Sequence, residues 1–175
     1  MDRVLAVSEN SPIKNFSLKC RKGFEPDCIN RHVLNRGVKD LDLDVDAKDG
    51  YSLPFEIFTC NTLVGLKLTG FSIDVIPEDA SLPALKSVMF YSLHACAFEK
   101  LLSACPLLQD LFINDLNWEQ WKWSRSLSSP SLERLAIERT EFYGFDGSDF
   151  GSITFDIPNI THLDYCELYY CNLIV

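Results

Sequence analysis

One spaced pattern of apolar residues, returning along almost the whole chain, limits what this sequence can fold into. Its clearest copy is Leu108, Leu111 and Ile113, with Pro106 two residues ahead. The same first, fourth and sixth positions are filled by Val38, Leu41, Leu43; by Leu63, Leu66, Leu68; by Leu85, Val88, Phe90; and by Leu132, Leu135, Ile137. Weaker copies stand at Ile13, Phe16, Leu18 and at Ile160, Leu163, Tyr165. From one first residue to the next the steps are 25, 25, 22, 23, 24 and 28 residues. Within each copy the alternation has period two, which gives a strand one dry face and one wet face. Proline recurs two residues before the first leucine at Pro83, Pro106, Pro130 and Pro158. It has no N–H to give and resists helix, so it marks where each strand can begin.

A period in the twenties, with one strand per turn, predicts a leucine-rich-repeat solenoid. The expected architecture is α/β: a right-handed, horseshoe-like stack of about seven irregular repeats, with a parallel sheet on the concave side. Residues 1–175 are expected to form a single domain, and the 47% apolar content is enough for a continuous core. The return segments read as a short helix over Asp2–Ser8 and a helix from Asp27 to Arg36 that Gly37 terminates. A helical turn from Pro54 to Cys60 follows, then an amphipathic helix with Phe98, Leu101, Leu102 and Cys105 on one face. Gly70 is expected to turn the chain out of the third strand. Trp118, Trp121 and Trp123 are expected to cover the open side of the core. The glycine-rich stretch Phe142–Gly151 reads as an insertion that lengthens the last step. The asparagine position usual in such repeats holds Phe71, Leu93, Leu116 and Thr140, so no regular asparagine ladder is expected.

Charge and motif content exclude several functions. The net charge of −9 repels phosphate backbones, so nucleic acid is not an expected partner. No apolar run approaches the length that spans a membrane, and the first residues lack the pattern of a secretory signal. Seven scattered cysteines without a C-x-x-C pair fit reduced thiols in the cytoplasm or nucleus. Cys60 and Cys105 each lie three residues before a first leucine, a shared phase that points to packing. Asp40, Asp42, Asp44 and Asp46 imitate a calcium loop, but Val45 stands where that loop needs glycine and Tyr51 where it needs glutamate. His32, His94 and His162 belong to no nucleophile or zinc motif. No enzyme activity, cofactor or metal is expected.

What remains is a binding surface. In each strand the third, fifth and seventh positions point away from the core. The fifth positions form the column Ser17, Asp42, Lys67, Met89, Phe112, Ala136, Asp164, and the seventh the column Lys19, Asp44, Thr69, Tyr91, Asn114, Glu138, Cys166. Asp42 should lie beside Lys67, and Asp44 beside Lys19. Met89, Tyr91 and Phe112 should place apolar surface where water is expected, which marks a contact site unless a loop covers them. Met89, Tyr91, Phe112, Asn114 and Lys67, with Asp40, Asp42 and Asp44, are therefore the candidate partner-binding residues. The acidic edge Asp40–Asp44 favours a basic segment.

The segments Leu82–Val88, Ala104–Leu111 and Ser129–Leu135 resemble the repeats of plant F-box/leucine-rich-repeat proteins. The opening residues Asp2–Leu5 and Ile13–Leu18, with Val38–Leu43 and Leu53–Phe58, are similar to the same family. The resemblance implies a substrate-recognition region of an SCF-type ubiquitin ligase whose partner is a protein. The family's F-box and the C-terminal FBD-type region are not seen in this sequence. A Skp-type adaptor is therefore expected only where an F-box lies upstream. The alternative is a shortened relative that competes for the same partners or is inert, with an unrecognised enzyme as a more distant reading.

Overall fold

A strand with one apolar face is satisfied only by neighbours in the same register, and the repeat supplies them in chain order. The computed structural model describes residues 11–21, 29, 32–46, 53–117, 125–139 and 153–167. Among these are strands β1 (Asn15–Cys20), β2 (Asp40–Val45), β3 (Gly65–Ile73), β4 (Ser87–His94), β5 (Asp110–Ile113), β6 (Leu116–Asn117) and β7 (Arg125–Ser128). Then come β8 (Arg134–Arg139), β9 (Ile153–Asp156) and β10 (His162–Glu167); one α-helix, α1 (Ala95–Ala104), follows β4. The seven repeat strands form one sheet in the order β1, β2, β3, β4, β5, β8, β10, and every pairing is parallel. The fourth positions Phe16, Leu41, Leu66, Val88, Leu111, Leu135 and Leu163 are direct partners from strand to strand. The chain thus has the mostly parallel α/β fold that the repeat predicts.

Backbone hydrogen bonds explain where each strand starts. The N–H of Leu63, Leu85, Leu108 and Ile160 donates back to the carbonyl of Cys60, Leu82, Cys105 and Ile157, at 3.2–3.5 Å. The first residue of the motif is therefore the inward corner of a tight turn, and the strand begins two residues later than the motif does. A second contact recurs at the next position. The carbonyls of Lys14, Lys39, Val64, Lys86, Gln109 and Glu133 each accept two N–H groups from the following repeat, at 2.7–3.1 Å. A carbonyl oxygen has two lone pairs, so one acceptor fixes both donors and sets the register of the next strand.

Burial follows the motif. Val38, Leu43, Leu63, Leu68, Leu85, Phe90, Leu108, Ile113 and Leu132 are all fully buried. The outermost described turns differ, each having a described repeat on one side only. Ile13, Phe16, Leu18, Ile160 and Tyr165 are half-buried, and Leu163 is 48% exposed where its counterpart Leu135 is 1% exposed.

The return segments pack the other side of the sheet. Ile29, Val33 and Leu34 are buried, and Gly37 ends this segment with φ 72° and ψ 38°, the left-handed conformation expected of it. A 3-10 turn, Phe55–Thr59, begins directly after Pro54 and buries Ile57 and Phe58. On α1, Phe98 and Leu101 are buried with Cys105 just beyond, and Leu102 is half-buried. Gly70 does not end the third strand. It takes φ 83° inside β3, where the register with β4 slips between Leu68 and Ser72, and the strand runs on through the buried Phe71 and Ile73. A bulge at glycine bends a strand without ending it. The asparagine position holds apolar core at Phe71 and Leu93.

Two features lie outside the repeat pattern. β6 pairs with the end of β4, and β7 pairs with β9 in a separate parallel ribbon. That ribbon carries Phe155, whose ring lies 6.4 Å from that of Phe98. The expected Asp2–Ser8 helix, the tryptophans and the Phe142–Gly151 insertion fall outside the described residues.

Two outcomes follow from this packing. Leu135→Ala empties a closed core and should lower stability by about 2–5 kcal/mol, whereas Leu163→Ala, at a half-exposed position, should cost under about 1 kcal/mol; urea unfolding of both variants measures the difference. Burial also pushes the Cys105 thiol up from 9.0 to about 12. The unfolded chain loses that proton first, so the thiol's contribution to stability should fall as pH rises from 9.0 towards 12. In native protein near neutral pH a thiol reagent should label the exposed Cys166 and spare Cys105.

Candidate functional site

Side chains alternate across a strand, so whatever the sheet does not bury it displays in columns. The fifth-position column runs in register through Ser17, Asp42, Lys67, Met89, Phe112, Ala136 and Asp164. Beside it runs the third-position column of Asn15, Asp40, Gly65, Ser87, Asp110, Arg134 and His162. Together they line a trough of about 850 Å³ on the open face of the sheet. Met89 and Phe112 are direct partners near its middle and are half-buried. Ala136 is the next partner of Phe112, so a small side chain leaves room against the ring.

The carboxylates of β2 share this face and differ in what answers them. Asp44 faces Lys19 at 3.6 Å and Arg21 at 3.8 Å. Asp42 faces Lys67 at 3.9 Å, while its Oδ1 is shielded from water and has no hydrogen-bond partner among the described residues. Asp40 leans over Gly65, where an added Cβ would stand 2.6 Å from Oδ1. The Asn15 amide, turned to satisfy both its groups, donates to Asp40 Oδ2 at 3.0 Å. This segment is a strand whose carboxylates meet lysine, arginine and amide groups, which answers the calcium-loop alternative on geometry. Further along, Arg134 grips Asp110 through two bonds of 2.5 and 2.7 Å, and that contact raises the guanidinium pKa.

The structure brings together five of the eight sequence-predicted residues: Met89, Phe112, Lys67, Asp40 and Asp42 line the trough, while Asp44, next on the same side of β2, lies outside it. Tyr91 is 49% exposed but lines a second hollow with Arg21, Asp44, Asp46 and Ser72. Tyr91 lies at the register slip itself, between Phe90, which pairs with Leu68, and Ser92, which pairs with Ser72. Asn114 lies just past the end of β5, where its N–H donates to the carbonyl of Phe90 at 3.0 Å. Sequence reasoning passed over Asp110, Arg134 and His162. Strand alternation already put them on the wet face, and the third-position column was the available signal.

The histidines are dispersed. His94 precedes α1, with Nε2 3.9 Å from Asp74 Oδ1, while His162 sits on the trough wall with Nδ1 3.2 Å from the Thr161 hydroxyl. Among the described residues no three His, Cys, Asp or Glu side chains are grouped to hold a metal, and no helix is long and apolar enough to cross a membrane. The trough offers apolar surface edged by charged and polar side chains.

The family described as FBD-associated F-box protein At5g56370, LRR repeats, matches residues 27–163. The putative F-box/LRR-repeat protein At3g58920 of Arabidopsis thaliana is 50% identical over 188 residues, covering 94% of this chain and 40% of that protein. F-box/LRR-repeat protein At3g58980 of the same plant is 46% identical, covering 95% of this chain and 30% of its own length. F-box/LRR-repeat protein At3g62440, also from Arabidopsis thaliana, is 44% identical and covers 95% and 43%. The chain thus spans less than half the length of these relatives. No solved structure matches it. With the repeat register, the parallel sheet and the family match in agreement, this chain belongs to the leucine-rich-repeat family of FBD-associated F-box proteins.

Proposed function

We propose that this chain is a protein-binding region that selects substrates for an SCF-type ubiquitin ligase. Its seven turns then form a right-handed solenoid with the trough on the concave side. One observation carries the reading: Met89 and Phe112 form an apolar strip in the middle of an open face that is otherwise mostly polar or charged. A sheet face turned to water gains nothing from such residues, whereas a docked partner buries them. Tyr91 extends the anchor into the adjoining hollow, and the Asp40–Asp44 row sets the charge of what can approach. The F-box/LRR names of the relatives favour a ligase context. In that context a Skp-type adaptor would be held by an F-box and not by these repeats. The same reading puts the protein in the cytoplasm or nucleus. No step of it asks for catalysis or a cofactor.

The test is the double variant Tyr91→Ala, Phe112→Ala, made in the full chain. Proteins recovered from plant tissue by proximity labelling with the wild type are purified, and their affinities measured for both forms. Loss of two aromatic anchors should weaken a partner that uses this face by about tenfold or more while the unfolding midpoint stays close to wild type. Unchanged affinity, or a collapse in stability showing both rings to be core, would remove the proposal.

A further inference from the structure

The trough holds charges that its own residues leave half answered. Arg134 is engaged by Asp110, and Lys67 by Asp42. Asp40 receives the Asn15 amide but no cation, and Asp164 receives neither, among the described residues. Asp42 Oδ1 is a shielded acceptor with no donor among them. The two unanswered carboxylates stand near opposite ends of the trough, on β2 and β10. Met89, Phe112 and Ala136 lie between them.

The register gives the spacing. From β2 to β10 there are five strand steps. At about 4.8 Å each they cover about 24 Å, the reach of about seven residues of extended chain at about 3.3 Å per residue. Met89 is two steps from β2, and Phe112 is two steps from β10. Each interval is about three residues of extended chain.

Resting on the protein-binding reading above, we propose that the trough takes an extended segment lying across the strands, with a lysine or arginine near each end and apolar residues between. One cation meets Asp40 on β2, and the other meets Asp164 on β10. The apolar residues cover Met89 and fill the space that Ala136 leaves beside the Phe112 ring. The pattern is a cation, an apolar pair about three residues on, and a second cation about three residues after that. Charge complementarity selects the ends, and the apolar strip fixes the register of the segment.

The probe is a fluorescein-labelled peptide of about eight residues with lysine at both ends, leucine and phenylalanine in the middle and serine elsewhere. Two controls have the same length: one moves both lysines to one end, and one replaces them with glutamate. Binding to the full chain is read by fluorescence anisotropy at low salt. The first peptide should bind best, and the double variant Asp40→Asn, Asp164→Asn should weaken it by about tenfold. Both side chains are exposed, so the fold should be unaffected, which circular dichroism confirms. Equal binding of the rearranged peptide would reduce the attraction to net charge and overturn the proposal. Unchanged binding by the double variant, or no binding at all, would also overturn it. If these peptides fail while purified partners still lose affinity on Tyr91→Ala, Phe112→Ala, the segment chemistry is wrong and the protein-binding reading stands.

Discussion

One carbonyl oxygen per turn, accepting two N–H groups from the turn that follows, is the contact on which the rest of this architecture depends. It appears at Lys14, Lys39, Val64, Lys86, Gln109 and Glu133. Because it binds two consecutive donors, a repeat cannot slide by one residue without breaking this paired contact. A slip of one residue would also turn every apolar side chain to water. Register, burial and the alignment of the open face are therefore aspects of one constraint. The sheet tolerates steps from 22 to 28 residues because this contact involves only the strand entrance, and variation is absorbed in the return segments.

The open face inherits its chemistry from that alignment. Residues some twenty-five positions apart become neighbours, so Asp42 meets Lys67 and Asp110 meets Arg134. Both pairs are at least partly exposed, so solvent screens them and they add little to stability. Their consequence is local: they pair Asp42 and Asp110 and leave Asp40 and Asp164 without a cation among the described residues. Met89, Phe112 and Ala136 lie between these two as the apolar part of the floor.

The repeat made most of this legible in advance. The period named the strands, and the alternation within each copy separated Leu111 and Ile113 from Phe112. The same alternation gave the fifth-position column residue by residue. What escaped had physical reasons. Strand entrances were placed early because apolar spacing does not distinguish a corner residue such as Leu108 from a strand residue such as Leu111. Gly70 reads as a terminator from its own preference, and only the buried Phe71 and Ile73 beyond it show that the strand continues. Tyr91 lies at that slip and lines a separate hollow, which no count of positions could reveal. The β7–β9 ribbon was missed because four-residue strands with one or two apolar side chains, such as Arg125–Ser128, carry little periodic signal. The bond between Asp110 and Arg134 needed the third-position column to be followed across the sheet as the fifth was.

Residue-resolved amide hydrogen exchange on the full chain tests the nearest-neighbour ladder most directly. If each turn is held by the turns on either side, opening proceeds from the ends. Protection should then peak in β4 and β5, at Val88–Phe90 and Leu111–Ile113, and decline stepwise to Phe16–Leu18 in β1 and Leu163–Tyr165 in β10. Uniform protection across all seven repeat strands, or a maximum at either end, would contradict the ladder and the aligned face built on it.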